Sequence, residues 1–139
     1  MAQSIREVMT PDPRTVEPSA SLTDAARAMR DDDIGAVLVV DSGQVTGIVT
    51  DRDIAVRAVA EGDDPDSTSV GDIASGALTA LTVDQTVEDA IRLVREQNIR
   101  RIPVVQDGSP AGIVSIGDLA IERDETSALA DISAASPNS

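Results

Sequence analysis

Apolar positions recur along this chain in two rhythms, and each rhythm occurs twice. Leu22, Ala25, Ala26 and Met29 stand at i, i+3, i+4 and i+7, the stripe of an amphipathic helix. Val87, Ala90, Ile91 and Val94 repeat it. Ser21 and Thr86 precede the two stripes, each with an Asp three residues on, the pattern of a capping box. Two short β-branched runs follow, 36–40 and 45–50, on either side of Asp41-Ser42-Gly43. In the second half, runs 102–105 and 111–115 flank Asp107-Gly108. A short polar connection with glycine between such runs predicts a hairpin. A further helix is predicted from Asp51 to about Glu61, stopped by Gly62, with a partner from Ile116 to about Arg123. Short extended pieces, 14–16 and 79–81, open each half before its first helix.

These parallels are a duplication. A shift of 65 residues, which carries Ser4 onto Ser69, also carries Asp24-Ala25 onto Asp89-Ala90 and Val39-Val40 onto Val104-Val105. The same shift carries Gly47-Ile48-Val49 onto Gly112-Ile113-Val114 and Asp53 onto Asp118, without a gap. The order in each copy is strand, helix, strand, strand, helix. The expected fold class is α+β, an α/β sandwich with β-α-β-β-α in each repeat, helices on one sheet face and the other face free to pack on its twin. The expected division is repeat 1 over 5–62, a linker over 63–69, repeat 2 over 70–125 and a tail over 126–139. A unit of about 60 residues buries only roughly 60% of its unfolded surface, so neither repeat is expected to stand alone.

Composition narrows the chemistry. The chain contains no His, Cys or Lys, which removes the commonest general base, thiolate chemistry, Ser-Lys pairs and Schiff bases. No enzyme activity is expected, although a carboxylate pair such as Asp53 and Asp118 stays open for acid–base work. No cofactor and no metal site are expected. The net charge of -14 opposes nucleic acid and anionic membranes as partners. Salt screens such repulsion beyond about 8 Å, so a local basic pocket can still take an anion. No run of about 18 apolar residues spans a membrane. The first eight residues lack an apolar core of a signal peptide, and a cytoplasmic location is the simplest expectation. Phe, Tyr and Trp are absent, so a bound base would rest on aliphatic side chains.

The chemistry-bearing motif is Thr50-x-x-Asp53 and its copy Ser115-x-x-Asp118, each where a strand runs into a helix. One reading is a plain capping box. Another uses the same geometry for a ligand: the helix start offers amides to a phosphate, and the carboxylate can accept from both hydroxyls of a ribose. Asp31-Asp32-Asp33 reads as a solvated turn, with weak Mg²⁺ binding as its alternative. Asp63, Asp64 and Asp66 read as a solvated linker.

The motifs Gly47-Ile48-Val49-Thr50-Asp51-Arg52-Asp53 and Gly112-Ile113-Val114-Ser115-Ile116-Gly117-Asp118, with Val8-Met9-Thr10-Pro11 and Arg100-Arg101-Ile102-Pro103-Val104-Val105, resemble the CBS (cystathionine beta-synthase) domain family over residues 5 to 123. The resemblance implies two copies packed pseudo-symmetrically sheet to sheet, with two clefts between them for AMP, ADP, ATP or S-adenosylmethionine. It implies a homodimer as well. By resemblance, Thr50 and Ser115 would bond phosphate, Asp53 and Asp118 the ribose diol, and the backbone of Thr15-Val16 and Ala80-Leu81 the adenine. Arg100 and Arg101 stand where nucleotide-binding members often carry a basic pair; a surface ion pair with Glu96 or Asp107 is the other reading. The first copy has Gly35 and Ala36 there, with Arg52 beside Thr50 as a replacement, so one well-formed site is expected. The expected function is a non-enzymatic regulatory module that binds an adenosyl ligand and signals to an unknown protein effector on a separate chain. The alternative is an interaction module of the same fold with no nucleotide.

Overall fold

The computed structural model describes residues 3–74 and 79–123, with side chains to residue 120. The expected tail over 126–139 lies outside the described residues. The chain divides into two compact units of mixed α/β structure.

The unit formed by residues 13–78 and 108–110 holds the body of the first repeat. Strand β2 (Thr15–Val16) leads to helix α2 (Leu22–Asp32), then to the hairpin of β3 (Ala36–Asp41) and β4 (Gln44–Thr50). The sheet order is β2-β3-β4, with β2 parallel and β4 antiparallel to β3. Helix α3 (Asp51–Asp53) continues into π-helical turns over Ile54–Val59, where the Ala60 N–H donates to Ala55 O at 2.9 Å. The helix expected to reach about residue 61 therefore changes pitch after one turn. The wide turns bury Ala58 and leave Val56 and Val59 exposed. Along β3, Val37 and Val39 join the core made with α2, and Ala36 and Leu38 on the opposite sheet face are buried too.

The second unit repeats this plan with α5 (Val87–Gln97), β6 (Arg101–Gln106), β7 (Ser109–Ser115) and α6 (Ile116–Arg123). Its opening strand, β5 (Leu81–Thr82), runs parallel to β6 with Leu81 opposite Val104. The N-terminal residues belong here: α1 (Ile5–Val8) packs on α5 and α6, and β1 (Thr10–Pro11) pairs with β7. The sheet order is β1-β7-β6-β5. A Cβ at Gly112 would lie 2.6 Å from the Thr10 carbonyl and 2.6 Å from Met9 Sδ, so β1 can approach only a glycine at this position.

Each opening segment thus joins the body of the other repeat. Ile5 is fully buried in the core of Leu81, Val104 and Val114, and α4 (Val70–Ile73) places Val70 and Ile73 in the core of Leu22, Val37 and Val49. The bonds match at the 65-residue shift. The Val87 N–H donates to Gln3 O and the Leu22 N–H to Thr68 O, both at 3.0 Å. The Ile5 N–H donates to Gln85 O and the Val70 N–H to Ala20 O, both at 2.8 Å. Residues 63–69, expected as an exposed connection, supply carbonyls that satisfy the first amides of α2.

Candidate functional site

Both Ser/Thr-x-x-Asp motifs fold as capping boxes at a strand–helix junction. In the first unit the Thr50 N–H donates to Asp53 Oδ2 at 2.9 Å and the Asp53 N–H to Thr50 Oγ1 at 3.0 Å. In the second, the Ser115 N–H donates to Asp118 Oδ2 at 3.0 Å and the Asp118 N–H to Ser115 Oγ at 3.2 Å. The box is intrinsic to the chain: Thr86 and Asp89 form the same pair at the start of α5, at 3.0 and 3.2 Å. There the Thr86 backbone N–H, with its hydroxyl and Arg92, holds the Asp89 carboxyl below its ordinary value against a smaller opposing desolvation. Capping geometry alone therefore assigns no ligand.

The surroundings distinguish the two junctions. The Asp51 N–H donates to Gly35 O at 3.0 Å, and at the matching positions the Ile116 N–H donates to Arg100 O at 2.9 Å. Folding of each hairpin thereby closes a gap of fifteen residues in sequence (Arg100 to Ser115). It sets Arg100 and Arg101 beside Ser115 and Asp118, but sets Gly35 and Ala36 beside Thr50 and Asp53. Arg100 is exposed and pairs with neither Glu96 nor Asp107 among the described residues, while Arg101 is half-buried. In the first unit, Asp53 Oδ1 lies 3.9 Å from Arg57 Nε, and Arg57 Nη1 donates to Ile73 O at 3.2 Å. Arg57 was not singled out in the sequence; its place four residues after Asp53 on a helix was the available signal.

The adenine-side candidates lie on the same sheets. Thr15 and Val16 pair with Leu38 and Val39, two strands from Thr50, a span of about 10 Å. Thr15 is exposed and Val16 half-buried. Leu81 is fully buried, so its side chain belongs to the core and only its backbone remains for a ligand; Ala80 precedes the strand and is half-buried. The eleven candidates fall into two sets. Thr15, Val16, Thr50, Arg52 and Asp53 share the first unit, and Ala80, Leu81, Arg100, Arg101, Ser115 and Asp118 share the second. Asp31 and Asp32, read as a solvated turn, are engaged by Arg30 and Arg14, each at 2.9 Å.

The model of the CBS domain matches twice, over residues 5–59 and 70–124. The chain belongs to the CBS domain family. It is 38% identical over 120 residues to the CBS domain-containing protein YhcV of Bacillus subtilis, covering 86% of this chain and 85% of that one. It is 31% identical over 116 residues to hypoxic response protein 1 of Mycobacterium tuberculosis, covering 83% and 81%. A crystal structure of hypoxic response protein I, with two coordinated zinc ions, matches with a TM-score of 0.77 over 88% of this chain and 98% of that one. A CBS domain pair in complex with 5′-methylthioadenosine and S-adenosyl-L-methionine shares the fold with a TM-score of 0.81, at 23% identity, over 91% of this chain and all of that one. No helix among the described residues of this CBS pair is long and apolar enough to cross a membrane.

Proposed function

We propose that this CBS pair is a non-enzymatic regulatory module that binds an adenine nucleotide or other adenosyl ligand at its Ser/Thr-x-x-Asp junctions. The observation that carries this reading is the second unit's junction, where one backbone bond, Ile116 N–H to Arg100 O, brings the main chain of the exposed Arg100 to the helix start that holds the Ser115 hydroxyl and the Asp118 carboxylate. Phosphate oxygens suit the arginines, and the ribose diol suits the Asp118 carboxylate, of which only Oδ2 is engaged by the cap. The complex of a related fold with two adenosyl compounds supports the ligand class. Zinc does not transfer as readily from the mycobacterial relative, because this chain lacks His and Cys, the side chains that hold zinc best. Signalling would pass through a homodimer or a separate protein effector in the cytoplasm, with the ligand shifting the population of associated states.

Thermal melts followed by far-ultraviolet circular dichroism test the reading, with AMP, ADP, ATP and S-adenosylmethionine at millimolar concentration. A ligand at 100 times its Kd adds about 2.7 kcal/mol, which raises the Tm by several degrees for a chain of this size. Asp118→Ala is expected to abolish the rise given by the preferred ligand. A second reading, an interaction module of the same fold with no nucleotide, draws on exposed Val56 and Val59 and on the missing cations at Gly35-Ala36. Flat melts with all four ligands would select it.

A further inference from the structure

The chain has no Cys, His, Trp or Tyr, so its three methionines carry all of its readily oxidised side-chain groups. Met1 lies outside the described residues. Met29 is only 7% exposed, inside the core that α2 shares with Val37 and Val49. Met9 is half-buried: its thioether packs on the core of the second unit and still stays within reach of solvent.

Met9 also stands where the opening segment is fastened to the body it joins. It ends α1, with its N–H donating to Ile5 O at 2.9 Å, and leads directly into β1, whose Thr10 and Pro11 pair with Ile113 and Gly112 of β7. Its sulfur rests over Gly112, where an added Cβ would lie 2.6 Å from Sδ and 3.0 Å from Cγ. The thioether thus fills the space that a side chain on β7 would take. At the matching position of the first unit stands Ala74, which makes the same backbone bond, to Val70 O at 2.9 Å, and packs on its own core without sulfur. Of two copies of one anchor, one can be oxidised and the other cannot.

We propose that Met9 is an oxidation site through which hydroperoxides loosen the opening segment from the second unit. One peroxide oxygen passes to a lone pair of Sδ. The O–O bond breaks, an S–O bond forms, the sulfide is oxidised to a sulfoxide, and the peroxide is reduced to water or an alcohol. The new oxygen makes a flexible apolar group polar and bulkier. Keeping that oxygen hydrated draws the sulfur off Gly112, because burying it without a donor is costly. The hold of β1 on β7 weakens with it. The first unit is spared, since its anchor is Ala74 and its core shields Met29. None of this depends on an adenosyl ligand.

The test treats the full chain with hydrogen peroxide and follows each methionine by peptide mass spectrometry. Met9 is expected to gain its oxygen at least about fivefold faster than Met29. With Met9 oxidised, the Tm followed by circular dichroism is expected to fall by about 3–6 °C. Hydrogen exchange should quicken in α1, α5 and β7 while α2 and β3 keep their protection. Methionine sulfoxide reductase with a thiol reductant should restore both readings. Met9→Leu keeps the volume without the sulfur. Peroxide should leave its Tm within about 1 °C, although Met1 and Met29 are still present. Oxidation of Met9 no faster than that of Met29 would overturn the site. Complete conversion of Met9 with unchanged Tm and exchange, or an equal Tm loss in Met9→Leu, would overturn its effect on the segment.

Discussion

Asp33 and Asn98 occupy matching positions in the two repeats and both adopt a left-handed backbone, with φ of 54° and 52°. Each ends a long helix, where a left-handed residue lets the chain leave the last turn with its carbonyls satisfied. In α2 the Asp33 N–H reaches Arg30 O at 3.3 Å and the Ile34 N–H reaches Met29 O at 2.9 Å. Glycine is the residue this geometry favours, and a carboxylate at a helix C-terminus opposes the dipole. Asp33→Gly is therefore expected to stabilise the protein by about 0.5–1 kcal/mol, seen as a Tm rise of a few degrees. Asp33→Ala removes the charge but keeps a Cβ in the left-handed region, and should gain less. At this scale the capping boxes of Thr50, Thr86 and Ser115 were legible in the sequence, but at Ser21, which has the same spacing to Asp24, only the hydroxyl half forms, the Asp24 N–H donating to Ser21 Oγ at 3.0 Å. The turn of the Asp51 carboxylate onto the Arg52 N–H was not legible, since the same residue can equally point away when no junction geometry holds it.

The helices show how far periodicity carries. The stripe of Leu22, Ala25 and Met29 is buried as expected, but Ala26 is exposed and Ala28 is buried in its place. On a helix of 3.6 residues per turn the two alanines flank the stripe on opposite sides, Ala26 about 65° and Ala28 about 95° from its centre. Alanine carries too little apolar area to signal which side faces the core, and packing against β3 made the choice. The start of α5 gives a pH-dependent handle. The Asp89 carboxyl titrates below its unfolded value, so its ionised form stabilises the fold above the unfolded pKa of about 3.9, and this contribution disappears as pH falls through the lower, folded value. Asp89→Asn is expected to lower the Tm at neutral pH, with the gap to the native chain closing as the pH drops below about 4. Paired melts at pH 7 and pH 3 measure this; an equal gap at both would mean the carboxylate's charge does not support the cap.

At the scale of the whole molecule, the exchange of opening segments ties each unit's stability to residues from the other end of the repeat map. Ile5 contributes a fully buried side chain to the second core, and the Gln3 carbonyl takes the first amide of α5. Ile5→Ala should cost about 2–5 kcal/mol. Hydrogen exchange should show the loss in α5 and β7 ahead of α2 and β3, because the latter pair draws on Val70 and Ile73 instead. Uniform loss of protection along the chain would mean that the two units open as one.

The duplication, the α+β order within each copy, the hairpins and the junction motifs could all be read from the amino acids. Each rests on local spacing or on comparison of the chain with itself. Which body each opening segment joins could not be read this way. Ile5 and Val70 are matching positions of one repeat, and the surfaces that receive them are copies of each other, so the pattern of residues fits self-packing and exchange equally well. The adjacency of Arg100 to Ser115 followed from the predicted hairpin, but the pitch change after Asp53 was beyond the sequence, because it depends on packing around Ala58 that no local spacing records.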